Sequence, residues 1–480
     1  VLGSLWLSAW QEAGRPGLDP AFRIPYVRRS TRLVVLRVPA TFEDTLTRGA
    51  LPQLSRLRQR GSVARLDSPA GPATEPLFVA AAREDLEATA LLLPEAYPFA
   101  PFAEEKRYGG NYGSRLTLVD ADHAPRIAGA TWTEKDVTLR DPEGWTGKVP
   151  SGARELALRA ADQPIHGLVY DDGEDATRGF DTLLLSASRD ADHGVKLKPR
   201  PGPDAFATLS LPTAGGDLAL SFRLFVLSPD AKSLLLHQVP ARGPLLSNRA
   251  RVAAATGAIA GASDDSYLRG ELGPALWSGG DGAAEARFLE TAAFAARQFN
   301  RLLSFGLDRT RWQVLVAQAP APGPAVTEWE KRLQAGKDGA TLRKLRRLHD
   351  QYLAALDDII GDLAQQIEDD QAAALVTPTS FVLAGPGVAS EREVGAARGI
   401  DVEPTLRALL GLEPTATDGR ALRLMLSQLP AELPVRGPGK TNGVAKPTRP
   451  RNPASPKSRS KAHPDEARVL QSPREVAKRP

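Results

Sequence analysis

Thr31 to Val38, TRLVVLRV, carries four consecutive apolar residues near the start of the chain. A short uninterrupted run of this kind suits a strand buried on both faces in a parallel sheet. After Pro39-Ala40-Thr41 the pattern becomes amphipathic. Leu51-Pro52-Gln53-Leu54-Ser55-Arg56-Leu57 then leads to Gly61, which predicts a helix stopped by a glycine cap. Ser62 to Leu66 returns as a strand, and Thr74-Glu75-Pro76 predicts a helix running to about Leu93. This β-α-β-α order predicts a parallel sheet with helices on its faces.

The middle of the chain has a different rhythm. From about Tyr108 to Val239 turns are frequent and apolar runs short, among them DTLLLSAS, ATLSLP and LALSFRLFVLS. That pattern predicts an antiparallel β insertion. Helical periodicity resumes at Glu285 to Leu303, where Phe288, Ala292, Ala296, Phe299 and Leu303 share a face. Arg311 to Ala319 predicts another strand. In the long helix that follows, Leu345, Leu348, Leu356, Ile360 and Leu363 fall between charged positions. Ala372 to Gly387 predicts paired strands, and Val402 to Leu412 a closing helix. The expected organisation is an α/β core in two parts, residues 1–107 and 246–434, interrupted by a β-rich insertion at 108–245. A basic tail at 435–480 completes it.

Composition agrees with a globular body: 480 residues, 42% hydrophobic and 25% charged. No stretch approaches the roughly 20 consecutive apolar residues of a membrane span. The apolar run Leu2 to Trp10 has no preceding basic segment, so it reads as a helix or strand packed on the domain, with a signal peptide the alternative if the start is trimmed. The sequence does not give the compartment, and a cytoplasmic location is expected ahead of a periplasmic one. The absence of cysteine excludes disulfides and thiolate metal sites. Met425 is the single methionine, so Val1 is not an ordinary initiator.

Charge is unevenly placed. Residues 435–480 hold 12 of the 61 Lys and Arg and 3 of the 57 Asp and Glu, so the tail carries +9 and the rest −5. Its composition predicts disorder, since it has too few apolar residues to offset chain entropy. Its charge suits an anionic surface or nucleic acid, but it lacks the interleaved aromatics of a stacking segment. A solubilising extension is sufficient to explain it.

Three stretches carry a resemblance. Residues 33–76 contain LVVLRVPATF, then LPQLSRLRQRG and PATEP; residues 221–240 read SFRLFVLSPDAKSLLLHQVP. Residues 380–422 contain SFVLAGPGV followed by GIDVEPTLRALLGLEPTATDGRAL, the most specific of the three. In this order they resemble the alkaline phosphatase superfamily, specifically its type I phosphodiesterase/nucleotide pyrophosphatase branch. The resemblance implies an alkaline-phosphatase-like core hydrolysing phosphate esters with two metal ions, usually zinc.

The implied ligand set does not carry over. The resemblance places an aspartate after the first strand, where this chain has Pro39 or a small deletion beside it. It places an Asp and a His after a middle strand, at Gly323 and Thr327. Before the closing segment it expects Asp-His-Gly, where Val376-Thr377-Pro378-Thr379 stands. The position of the nucleophile is kept by Thr74 in Pro72-Ala73-Thr74-Glu75-Pro76. A threonine there suits a helix N-cap followed by proline, and equally a hydroxyl near a phosphate-binding helix end. Capping alone accounts for it.

A rival ligand pair is Asp192-His193, within Asp190-Ala191-Asp192-His193-Gly194, although a polar turn explains that stretch better. His123 is also flanked by aspartates. His349 is expected on a solvated helix face, and His463 lies in the tail. The doublets Asp171-Asp172, Asp264-Asp265, Asp357-Asp358 and Asp369-Asp370 read as surface or helix-end carboxylates. No nucleotide P-loop or Gly-x-Ser-x-Gly elbow is present. The expectation is therefore a pseudoenzyme that binds or scaffolds, with a protein among its candidate partners and no cofactor. The alternative is an active metal-dependent phosphodiesterase or phosphatase using zinc or another divalent ion, with Asp192 and His193 as its leading ligands.

Overall fold

The computed structural model describes residues 32–38, 40, 42–68, 77, 86, 88–91, 116–119, 126–174, 178–202, 205–213, 216–242, 260–309, 312–319, 323–336, 339–366, 371–412 and 419–427. The apolar run at 2–10 and the tail at 435–480 lie outside them.

The chain opens with β1 (Arg32–Arg37), α1 (Glu43–Thr47), α2 (Pro52–Arg60), β2 (Gly61–Leu66), β3 (Ala88–Leu91) and β4 (Leu116–Val119). A β-rich stretch follows. Two short strands, β5 (Arg126–Ile127) and β6 (Ala130–Thr133), precede β7 (Arg154–Ala160), β8 (Gln163–Tyr170), β9 (Thr182–Ser186) and β10 (Val195–Leu197). Next come β11 (Phe206–Thr213), β12 (Gly216–Leu227), β13 (Leu234–Gln238) and β14 (Ala241–Arg242). The remainder is α3 (Asp264–Leu268), α4 (Ala283–Arg309), β15 (Val314–Gln318), α5 (Pro324–Ala335) and α6 (Ala340–Gln366). It closes with β16 (Gln371–Val376), β17 (Ser380–Ala384), β18 (Arg392–Ala397) and α7 (Val402–Leu410).

Eight strands form the large sheet, in the order β18-β2-β17-β16-β1-β15-β3-β4. Neighbours pair in parallel except at β17, which runs against both β16 and β2. Alternation along β1 explains its uninterrupted apolar sequence. Val34 and Leu36 enter one core, while Leu33 and Val35 enter the core on the opposite face. The first core is built by α2, α4, α5 and α6, through Leu54, Phe288, Trp329 and Leu353 among others. The second is closed by α7, through Val402, Leu406 and Leu409. Burying each such side chain contributes about 1.5–3 kcal/mol, so loss of either helical layer would leave the sheet unstable in water. The protein is thus a mixed α/β protein with helices on both faces of a largely parallel sheet.

The β-rich stretch makes two four-stranded antiparallel sheets, β10-β9-β8-β7 and β11-β12-β13-β6, with a small β14-β5 pair. Leu156, Val169 and Leu183 of the first sheet share one core with Leu220, Phe222 and Leu236 of the second. Leu116–Val119, within the stretch expected to be antiparallel, instead pairs in parallel with β3 in the large sheet.

Two further local expectations need correcting. Residues 88–91 lie in the region predicted as helix but form β3, because they complete a parallel ladder beside β15. Gly61 ends α2 with an extended backbone, φ −136°, so it is not a left-handed cap. Its lack of a side chain is required for another reason: a Cβ there would lie 2.1 Å from the Leu383 carbonyl oxygen on β17. No helix among the described residues is long and apolar enough to cross a membrane.

Candidate functional site

Parallel α/β sheets bind ligands at the carboxyl ends of their strands, where helix N-termini and loops converge. Here the carboxyl ends of β1, β15 and β16 lie side by side. The Val38 N–H donates to the Val376 carbonyl at 2.8 Å, and the Ala319 N–H to the Arg37 carbonyl at 2.8 Å. Both Val38 and Ala319 are buried.

Beyond β16 the chain reverses into β17. Thr377 closes that turn with its hydroxyl oxygen, accepting the N–H groups of Ser380 at 2.8 Å and Thr379 at 3.3 Å. Glu43, the first residue of α1, reaches the same turn. Its carboxylate accepts the Ser380 hydroxyl at 2.6 Å and the Thr379 hydroxyl. Burial raises the Glu43 pKa, but these two hydroxyls and the nearby Arg58 outweigh it and hold the group below the usual carboxylate value. The space left between Glu43, Thr377 and Arg58 is about 10 Å3. That is room for one water at most.

Beyond β15, Gly323 is the N-cap of α5, and the Thr327 hydroxyl donates to its carbonyl at 3.3 Å. A carboxylate from elsewhere in the chain fills the space beside it. Asp264 on α3 accepts the Ala325 N–H at 3.1 Å, and a Cβ at position 323 would meet its carboxylate within 1.9–2.1 Å. Burial pushes the Asp264 carboxyl up to about 6 against the lowering effect of that N–H. The same charge helps burial raise the Tyr352 phenol, which places the two groups near each other. Neither Gly323 nor Thr327 offers a metal donor of the implied kind, the Thr377 hydroxyl serves the turn, and the Thr379 hydroxyl donates to Glu43. The described residues at this edge therefore do not fit a two-metal centre. Pro39 and Thr74 lie outside the described residues.

Asp192 and His193 sit in the turn between β9 and β10, in a different sheet. Asp192 accepts the Lys148 N–H at 3.2 Å, whereas His193 Nδ1 lies 2.9 Å from the Asp190 carboxylate. Asp190 also accepts the N–H groups of Asp192 and His193, so it organises the turn.

Among the described residues, the only trio of ligand-type groups close enough to share an ion is Asp171, Asp172 and Asp181. It already faces a cation: the Lys198 ammonium pairs with Asp172, with Glu174 at 3.1 Å and with Asp181 at 3.4 Å. Burial raises the Asp172 pKa, yet Lys198 and the Glu174 N–H overcome it and bring the group to about 2.

Other expectations fare differently. His349 is buried, with Nε2 3.4 Å from Glu330 on α5, rather than on a solvated face. Asp357 is buried too and accepts the N–H groups of Gln53 and Leu54, capping α2 from α6. His123, His463, Asp369 and Asp370 lie outside the described residues.

Glu43 and Ser380 were not singled out from the sequence, and Asp264, read there as a surface or helix-end carboxylate, is instead largely buried. The carboxylates belong to no motif, and the partners of Glu43 are more than 330 positions away.

No protein-family model and no curated protein matches the chain. Among solved structures it is similar to a candidate sulfatase from Bacteroides thetaiotaomicron, with 11% identity and a TM-score of 0.25. The match covers 30% of this chain and 48% of the other, so the chain spans about half of that protein's length. A likeness of that size assigns no family.

Proposed function

We propose that this chain is a degenerate relative of the alkaline phosphatase superfamily, in the phosphodiesterase branch, acting as a binding or scaffolding protein. The observation that carries the reading is the donor set of the described residues at the strand edge. Gly323 and Thr327 stand beyond β15, and beyond β16 the Thr379 and Ser380 hydroxyls are given to Glu43.

Magnitudes support it. Phosphoryl transfer needs about 8–23 kcal/mol of barrier lowering, whereas a helix end contributes about 0.3–2 kcal/mol toward a charge. In the superfamily that this sequence resembles, metals supply the remainder. A lone threonine at position 74 has no comparable resource.

The test is direct. Purified protein, dialysed and then incubated with zinc, is expected to retain no stoichiometric metal and to leave p-nitrophenyl phosphate and bis(p-nitrophenyl) phosphate unhydrolysed. One zinc or more per chain together with turnover would overturn the proposal. If turnover were found, loss of activity in His193→Ala would assign it to the Asp192-His193 turn.

A further inference from the structure

A cavity of about 580 Å3 opens between α5, the turn after α3, and the short 3-10 turn Leu276–Ser278. Three cationic side chains line it, Arg269, Lys331 and Arg332, against one carboxylate, Glu328. Glu328 pairs with Arg332 at 2.7 Å, and Arg269 with Glu271 at 2.6 Å. Lys331 has no acidic partner among the described residues. Arg332 presents five N–H donors, and its Nε is buried with no acceptor. Of the three cations, Lys331 is thus the one left without an acidic partner among the described residues.

The second wall is aromatic and held rigid. Trp277 lies under the Arg332 guanidinium, 4.2 Å from ring centroid to Cζ. Tyr267 packs edge-on against Trp277, its hydroxyl donating to Glu285 at 2.7 Å and accepting Trp329 Nε1–H at 3.1 Å. Glu285 also accepts the Leu276 N–H at 2.8 Å, which fixes the turn that carries Trp277. A ligand meeting this wall would find the rings already in place, so little ordering cost remains.

We infer that this cavity binds an organic anion. A phosphate, phosphonate, sulfate or carboxylate group would sit at Lys331 and Arg332 with Arg269 beside them, and a flat apolar body would lie against Trp277. Glu328 acts as the internal competitor for Arg332. The site does not depend on whether the strand edge has lost its metals, because every group it uses lies on α5 and on the two turns after α3.

The test is isothermal titration of the full chain with three matched probes. Phenylphosphonate carries both ring and charge and resists hydrolysis; methylphosphonate has only the charge, and phenol only the ring. Phenylphosphonate is expected to bind with a Kd below about 1 mM, at least about tenfold tighter than either of the others. Its affinity should fall in high salt. The double substitution Arg269→Gln with Lys331→Gln, at two exposed side chains, should weaken it by about tenfold or more. Glu328→Gln should tighten it, a change of sign that a folding defect cannot produce. Equal affinity for phenol and phenylphosphonate would overturn the inference. So would unchanged affinity in the double variant, or no binding of phenylphosphonate up to about 10 mM.

Discussion

Asp264 and Gly323 show how one close approach sets both a conformation and a protonation state. The carboxylate lies where any side chain at 323 would stand, and it accepts the Ala325 N–H at the start of α5. A helix terminus favours a negative charge by about 0.3–2 kcal/mol, but burial outweighs it here and the group titrates near 6 instead of 3.8. The folded state thus holds a proton that the unfolded chain has released. Stability from this group is complete below about 3.8 and is lost as pH rises through about 6. Asp264→Asn keeps an acceptor for Ala325 and removes the charge. It should be about 1–3 kcal/mol more stable than the parent near pH 8, with the difference vanishing toward pH 4. Urea unfolding at both pH values measures this, and a less stable variant at the higher pH would show that the charge itself is needed. The doublet Asp264-Asp265 is plain in the sequence. Burial of its first member was not, because burial depends on where Gly323 arrives from 59 positions away.

At the level of elements, periodicity was most informative where one segment alone decides the outcome. The apolar spacing of α4 and α6 marks both helices, since each buries one face against its neighbours. It misled at Ala88–Leu91, where a place beside β15 overrides a helix-compatible pattern. Contacts between elements left no signature at all. His237 on β13 lies 2.9 Å from the Thr131 hydroxyl on β6 and 2.7 Å from the Ser263 hydroxyl before α3. It thereby ties the antiparallel sheet to the helical layer. Its ring is fully buried, and burial lowers its pKa from 6.5 to about 4 despite the nearby Glu271. Below 6.5 the unfolded chain takes up a proton that the folded one resists, so stability falls between pH 6.5 and 4, by roughly 3 kcal/mol in all. His237→Gln should lower stability at neutral pH yet flatten that acid limb. A limb of unchanged slope would remove His237 as its cause.

For the whole molecule, the balance of charge is a separate matter from the fold. Residues 435–480 carry +9 and the rest of the chain −5, so deleting them should abolish retention on an anionic resin at low salt. The melting temperature should change by no more than about 2 °C, within what a surface change of about 0.5 kcal/mol produces. A larger drop would mean that the basic segment packs on the body. The sequence by itself determined the α/β class, the buried character of β1, β15 and β16, the long helices and the lack of any carboxylate or imidazole at 323, 327, 377 and 379. Those follow from residue type and spacing, which act over one turn or one strand. Tertiary structure alone decided that β16 and β17 enter between β1 and β2, and that Glu43 bonds the β16–β17 turn. It also decided that Trp277, Lys331 and Arg332 share one cavity. Each of these depends on which distant segments meet, and the free energy that selects the meeting is spread over both cores rather than written in any one stretch of chain.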